Sequence, residues 1–209
     1  MQSLLDGIHA FQAEYFASHR DLFTQLAQSG QRPETLFITC SDSRVVPNLI
    51  TSAAPGELFI VRNIGNIVPA LDLAGGTSAA IEYAVEVLKI QNVIVCGHTH
   101  CGAMQAVLAP QSVEHLPRVK RWLQQGDRLR TIVGERYAHL SPEERVTAAV
   151  EENVLVQLEN LKAFPFVARR LEEGTLRMNG WVFKIETGEV FDYDPKVGQF
   201  VPLEGPVAK

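Results

Sequence analysis

The chain has 209 residues, enough to bury one substantial core and, by size, one domain with appendages. Hydrophobic residues make up 46% and charged residues 21%, with a mean hydropathy of +0.01, which excludes a disordered or collagen-like chain. Lys and Arg number 19 against 24 Asp and Glu, a net charge of −5; that balance gives phosphate backbones no general attraction and argues against a nucleic-acid partner.

The N-terminus, MQSLLDGIHAFQAEYF, has no basic stretch followed by an apolar one. No apolar run approaches the ~20 residues that a bilayer span needs, so a cytoplasmic chain with no membrane partner is expected. From about Ser3 to Ala27, the positions Leu4, Leu5, Ile8, Phe11, Tyr15, Phe16, Leu22, Phe23 and Leu26 recur at helical spacing. A restart is expected at Ser18 to Asp21. This helical arm presents a wide apolar face that must pack on the domain or, as favoured here, on another subunit.

Short β-branched runs follow at Thr35 to Thr39, Glu57 to Val61 and Asn92 to Cys96, with a helix over Thr77 to Leu88 between the second and third. The alternation predicts an α/β fold with a mostly parallel central β-sheet flanked by helices, its strands buried on both faces. A short helix over Ala103 to Leu108 leads into a polar helical region broken at Pro110, Pro117 and Gly126. Ser141, Pro142 and Glu144 then form a capping-box start for a long helix reaching about Lys162. Gly180 to Asp194 alternates apolar and polar residues around Thr187 and Gly188 and predicts a C-terminal β-hairpin at the sheet edge. The expected organisation is a single unit over 1–209, with the arm at 1–29, a chemistry-bearing core at 35–109, a helical region at 110–173 and the hairpin at 176–194.

Three cysteines are too few for a disulfide framework in a chain of this size. Cys40, in FITCSDSRV, and His98 and Cys101, in CGHTHCG, each follow a predicted strand. In open parallel sheets, loops from adjacent strand ends converge where ligands bind. Two thiolates and an imidazole are a zinc donor set, and three protein ligands leave one position for an activated water. Thiolates donate more charge than imidazoles, so the bound water is less acidic and activity should rise toward alkaline pH. Asp42 and Arg44, two apart, can form a charge-assisted pair that orients the water; released, Asp42 could take the fourth zinc position. A closed structural zinc site with Asp42 as fourth ligand is the main alternative, and nucleophilic thiol catalysis is a weaker one. Cys96 reads as core, while His100 reads as a surface or supporting residue.

The motifs CSDSR, VRNIGN (Val61 to Asn66), GGTSAAIEYAV (Gly75 to Val85) and GHTHCG together resemble the β-class carbonic anhydrases. The cyanobacterial, carboxysome-associated members look most alike, through LLDGIHAFQAEYFASHRDLF and GWVFKIETGEV. The resemblance spans roughly residues 1 to 193. It implies zinc on Cys40, His98 and Cys101, the catalytic dyad Asp42 and Arg44, and Gln31 as a substrate-binding amide. It also implies an active site at a dimer interface embraced by the N-terminal helices, in a homodimer or a larger homo-oligomer of dimers. Reversible hydration of carbon dioxide to bicarbonate is the implied reaction, with carboxysome proteins and a carboxysomal location as further expectations. Hydrolysis of carbon disulfide or carbonyl sulfide, or a catalytically silent zinc-stabilised assembly role, are the alternatives. Members with an inhibitory bicarbonate site carry Trp, Arg and Tyr where this chain has Phe37, Arg62 and Phe183, so both polar aromatic handles are missing.

Overall fold

A computed structural model describes residues 1–203; the end of the expected 1–209 unit, residues 204–209, lies outside the described residues. Six strands form one sheet in the order β2-β1-β3-β4-β5-β6. They are β1 (Thr35–Cys40), β2 (Leu58–Asn63), β3 (Asn92–His98), β4 (Arg177–Phe183), β5 (Val190–Asp194) and β6 (Gln199–Pro202). The first four run parallel, and β5 and β6 add antiparallel at one edge. The β4–β5 pair is the expected hairpin, and β6, too short to show a period in the sequence, extends it.

The helices are α1 (Gln2–Ala10), α2 (Arg20–Ser29), α3 (Pro47–Thr51), α4 (Gly76–Glu82), α5 (Gly102–Leu108), α6 (Pro117–Leu123), α7 (Asp127–Arg136), α8 (Pro142–Lys162) and α9 (Pro165–Glu172). A π-helical turn, Phe11–Phe16, prolongs α1, and another, Tyr83–Val87, prolongs α4. Both caps of α8 form as expected: Glu144 N–H donates to Ser141 Oγ (3.3 Å) and Ser141 N–H to the Glu144 carboxylate (2.9 Å). This satisfies two otherwise orphaned donors and fixes where the longest helix begins.

The core lies between the sheet and the helices on one face. Leu36, Ile38, Val93 and Val95 share a buried cluster with Ile81, Met104, Val107, Val150 and Val154 from the helical layer. Residues one step along the strands face the other way, as a pleated sheet requires. There Phe37, Ile94 and Cys96 form a second cluster whose partners, Leu58, Ile60, Trp181 and Phe183, are all strand residues. β1 and β3 are thus buried on both faces as expected, with large strand side chains covering their own neighbours on this one. The arm is uncovered, because neither α1 nor α2 contains a buried residue. Among the described residues no helix is long and apolar enough to cross a membrane.

Buried Arg170 on α9 ties the helical layer together. Its guanidinium donates to the carbonyls of Val85, Ile90 and Thr175 at 2.9 to 3.1 Å, groups that would otherwise be stranded where the α4 turn hands over to β3 and where α9 hands over to β4.

Candidate metal centre

Parallel pairing of β1 with β3 sets Thr39 opposite Cys96, so both strands end together and their loops meet. Cys40 is the last residue of β1, His98 the last of β3, and Cys101 precedes the first turn of α5. All three are buried, and their ligating atoms lie within 4.8 Å of one another, a spacing that one ion at the centre can span. His98 is oriented for this: its Nδ1 lies 2.8 Å from the Thr99 carbonyl. A carbonyl only accepts, so Nδ1 carries the hydrogen and Nε2 keeps its lone pair. Nε2 is buried and has no hydrogen-bond partner, a costly arrangement unless a cation takes the lone pair.

The pKa of Cys40 is lowered to about 4, first because the Cys101 thiol donates to it, against the opposing effect of burial, with smaller contributions in the same direction from the main chain at Gly65 and Asp42. Cys101 is raised as the donor of that bond, with burial adding to the shift. Cys40 is thus the sulfur favoured to ionise first, and a metal would displace the protons that remain on the pair. Two sulfurs and one imidazole nitrogen form a donor set that suits a borderline-soft divalent ion.

Asp42 follows β1 and is clamped by Arg44. Arg44 Nε donates to Oδ1 (2.9 Å), a terminal nitrogen donates to Oδ2 (2.8 Å), and the Arg44 N–H reaches Oδ1 (3.0 Å). This bidentate grip holds the Asp42 carboxyl well below the usual carboxylate range. Asp42 Oδ2 stands 3.8 Å from His98 Nε2, so the carboxylate edges the cluster. Arg44 also donates to the His100 carbonyl (3.3 Å). His100 itself is exposed, has a left-handed φ of 56°, and sets Nε2 3.7 Å from Glu186. Cys96 is fully buried on the opposite face, and burial pushes its thiol up to about 12, in keeping with a core role.

Gln31 is placed elsewhere. It is exposed in the connection between α2 and β1, at the amino end of the strand whose carboxyl end carries Cys40. Five strand steps, about 17 Å, separate the two ends of β1, so one chain does not bring Gln31 to the cluster.

Sequence reasoning missed the roles of two residues. Arg62 Nε donates to the Cys40 carbonyl (3.1 Å) and a terminal nitrogen to the Asp42 carbonyl (2.7 Å), bracing the loop between them. Thr99 Oγ1 donates to Glu186 (2.6 Å) and accepts from the Ile185 N–H (3.0 Å), fastening the β4–β5 turn to the loop that carries His98. Arg62 was within reach, since it lies in VRNIGN. Thr99 and Glu186 are 87 positions apart, and nothing local links them.

The family model described as carbonic anhydrase matches residues 35–190. The chain is 49% identical over 203 residues to a carbonic anhydrase of Synechocystis sp., covering 96% of this chain and 74% of that one. Among solved structures it is similar to the β-carbonic anhydrase CcaA, with a TM-score of 0.95 and 48% identity over 98% of this chain and 92% of the other. It is also similar to a chain from the tetrameric β-carbonic anhydrases of the ascomycete Sordaria macrospora, with a TM-score of 0.84 and 30% identity over 96% and 98% of the two chains.

Proposed function

The chain belongs to the β-class carbonic anhydrase family, whose reaction is the reversible hydration of carbon dioxide to bicarbonate and a proton, and we propose that Cys40, His98 and Cys101 hold the zinc ion for it. The observation that carries this reading is the unpartnered, buried Nε2 of His98 among two sulfurs. Zinc bound there supplies a Lewis acid that makes a water molecule acidic enough to attack carbon dioxide near neutral pH.

The chain's own residues do the rest. Asp42, kept ionised by Arg44, can only accept hydrogen bonds, so it orients the attacking water's hydrogen away from the carbon. Arg44 and Arg62 fix Asp42 from opposite ends, one on the carboxylate and one on the backbone. Gln31 of the partner subunit donates to a substrate oxygen in this reading. Support comes from its distance from its own Cys40 and from an arm whose Leu4, Ile8, Phe11 and Tyr15 are exposed, a face that a second copy would cover. The same uncovered surfaces support a homodimer or an assembly of dimers. The carboxysomal location and its protein partners belong to this proposal too, supported by similarity to cyanobacterial relatives.

The test is stopped-flow carbon dioxide hydration from about pH 6 to 9, the range in which zinc-bound water titrates, on protein of measured metal content. Fast turnover rising with pH is expected from the zinc-loaded protein; none at any pH would overturn the reading. Asp42→Asn should keep the metal and lower turnover about a hundredfold. A carboxylate with a depressed pKa loses its charge only as pH falls through that low value, so the inflection within pH 6 to 9 should survive this substitution. Its disappearance would show that Asp42 titrates there and contradict the clamp.

A further inference from the structure

The loop from Asn63 to Val68 leaves the carboxyl end of β2 and passes beside Cys40, and it is tied at almost every main-chain group. Asn63 closes it internally, accepting from the Ile67 N–H (2.7 Å) and donating to the Ile67 carbonyl (2.8 Å). Trp122 Nε1 donates to the Ile64 carbonyl (2.7 Å). Three side-chain amides of α8 hold the remainder: Asn153 donates to the Gly65 carbonyl (3.0 Å), Gln157 accepts from the Val68 N–H (2.9 Å), and Asn160 donates to the Val68 carbonyl (3.0 Å). The amides also bond to one another, Gln157 Nε2 to Asn153 Oδ1 (2.9 Å) and Asn160 Nδ2 to Gln157 Oε1 (3.0 Å). Asn153 and Gln157 are each 1% exposed. A buried polar ladder of this kind fixes geometry because any displacement leaves amides unpaired.

Gly65 turns this loop, which is pinned beside Cys40 by the Asn63 carbonyl accepting from the Ser41 N–H (2.9 Å). Only glycine fits there: φ is +82°, and a Cβ would stand 3.0 Å from Ala103 and 3.1 Å from Met104 on α5. We propose that Asn153, Gln157 and Asn160 are positioning residues that hold the Asn63 to Val68 loop against the Cys40 end of β1 and so govern how tightly the centre keeps its metal. The proposal rests on Cys40 being a ligand. Groups that orient metal ligands from behind change affinity by about ten- to a hundredfold when removed.

The experiment follows zinc release from the purified holoenzyme to a chromogenic chelator, together with the thiolate-to-metal absorption band of the cobalt-exchanged protein. Gln157→Leu should release zinc at least about tenfold faster and shift the band, because the loop that backs Cys40 loses its anchor at the Val68 N–H. Asn160→Ala removes one rung only, folds more readily, and should move both readouts in the same direction by less. Arg170→Met, which destabilises the fold without touching this loop, should release zinc at the parent rate. Ladder variants with parent release and an unshifted band would overturn the proposal, as would acceleration matched by Arg170→Met. A Cys40→Ser protein that kept stoichiometric zinc and an unchanged band would instead overturn the metal-centre reading, and the proposal with it.

Discussion

On one face of the sheet, Leu36, Ile38, Val93 and Val95 are sealed within a single chain by the helical layer, whereas on the other Phe37, Ile94 and Cys96 are covered only by neighbouring strand side chains. The arm repeats the second condition, with no buried residue in either helix. The three candidate ligands sit at strand ends and a helix start braced by the sealed side: α8 through the Asn63 to Val68 loop, and the Thr99–Glu186 bond through the edge hairpin. Gln31 belongs to the unfinished side and sits at the wrong end of β1 for its own cluster. The contrast teaches that one chain by itself gathers the candidate metal ligands, while the role proposed for Gln31 calls for a second.

The sharpest break in that comparison is Cys40→Ala. Metal and hydration activity should vanish together while the oligomer persists, because the arm is untouched; metal analysis with sedimentation checks both halves. The converse break is Ile8→Asp combined with Phe11→Asp, two charges on the arm's apolar face. Sedimentation should show monomers that keep their metal, with turnover reduced at least about tenfold through loss of the partner's contribution. Full activity in monomers would place the whole site in one chain.

Smaller effects sharpen the picture of the sealed side. Arg170→Met strands the carbonyls of Val85, Ile90 and Thr175 and should cost about 3 kcal/mol, a drop in Tm on the order of 10 °C. Ser141→Ala removes one capping bond from α8 and should cost about 1 kcal/mol. Thermal unfolding of both variants with metal content held constant would show whether the helical layer stands without help from a partner.

The α/β plan was legible because each parallel strand is a short β-branched run bounded by turn residues, and α8 announces itself with Ser141, Pro142 and Glu144. Cys40, Asp42, Arg44, His98 and Cys101 were legible because each lies at a strand end, where adjacency in the sheet turns separation in sequence into closeness in space. Asn153 and Gln157 were not. Amides on a helix otherwise rich in Glu read as solvent-facing, and their partners Gly65 and Val68 lie 88 and 89 positions away. Burial of β1 and β3 on both faces was legible too, but not what covers the face of Phe37 and Cys96, because apolar strand residues look the same whether a helix or a neighbouring aromatic will cover them. Gln31 could be picked out only by resemblance, since a loop amide carries no local sign of which chain's site it serves.

The most direct measurement pairs differently tagged Cys40→Ala and Gln31→Ala chains, purifies the mixed dimer and records its carbon dioxide hydration rate. Cys40→Ala alone should be inactive, and Gln31→Ala alone should be reduced about tenfold or more. In the mixed dimer, one site joins an intact metal centre on one chain to an intact Gln31 on the other. The account predicts that it recovers about half the parent activity per dimer, one complete site of two. A mixed dimer no faster than half the Gln31→Ala rate would place Gln31 in its own chain's site, or outside the site altogether, and contradict the claim that two chains complete the enzyme.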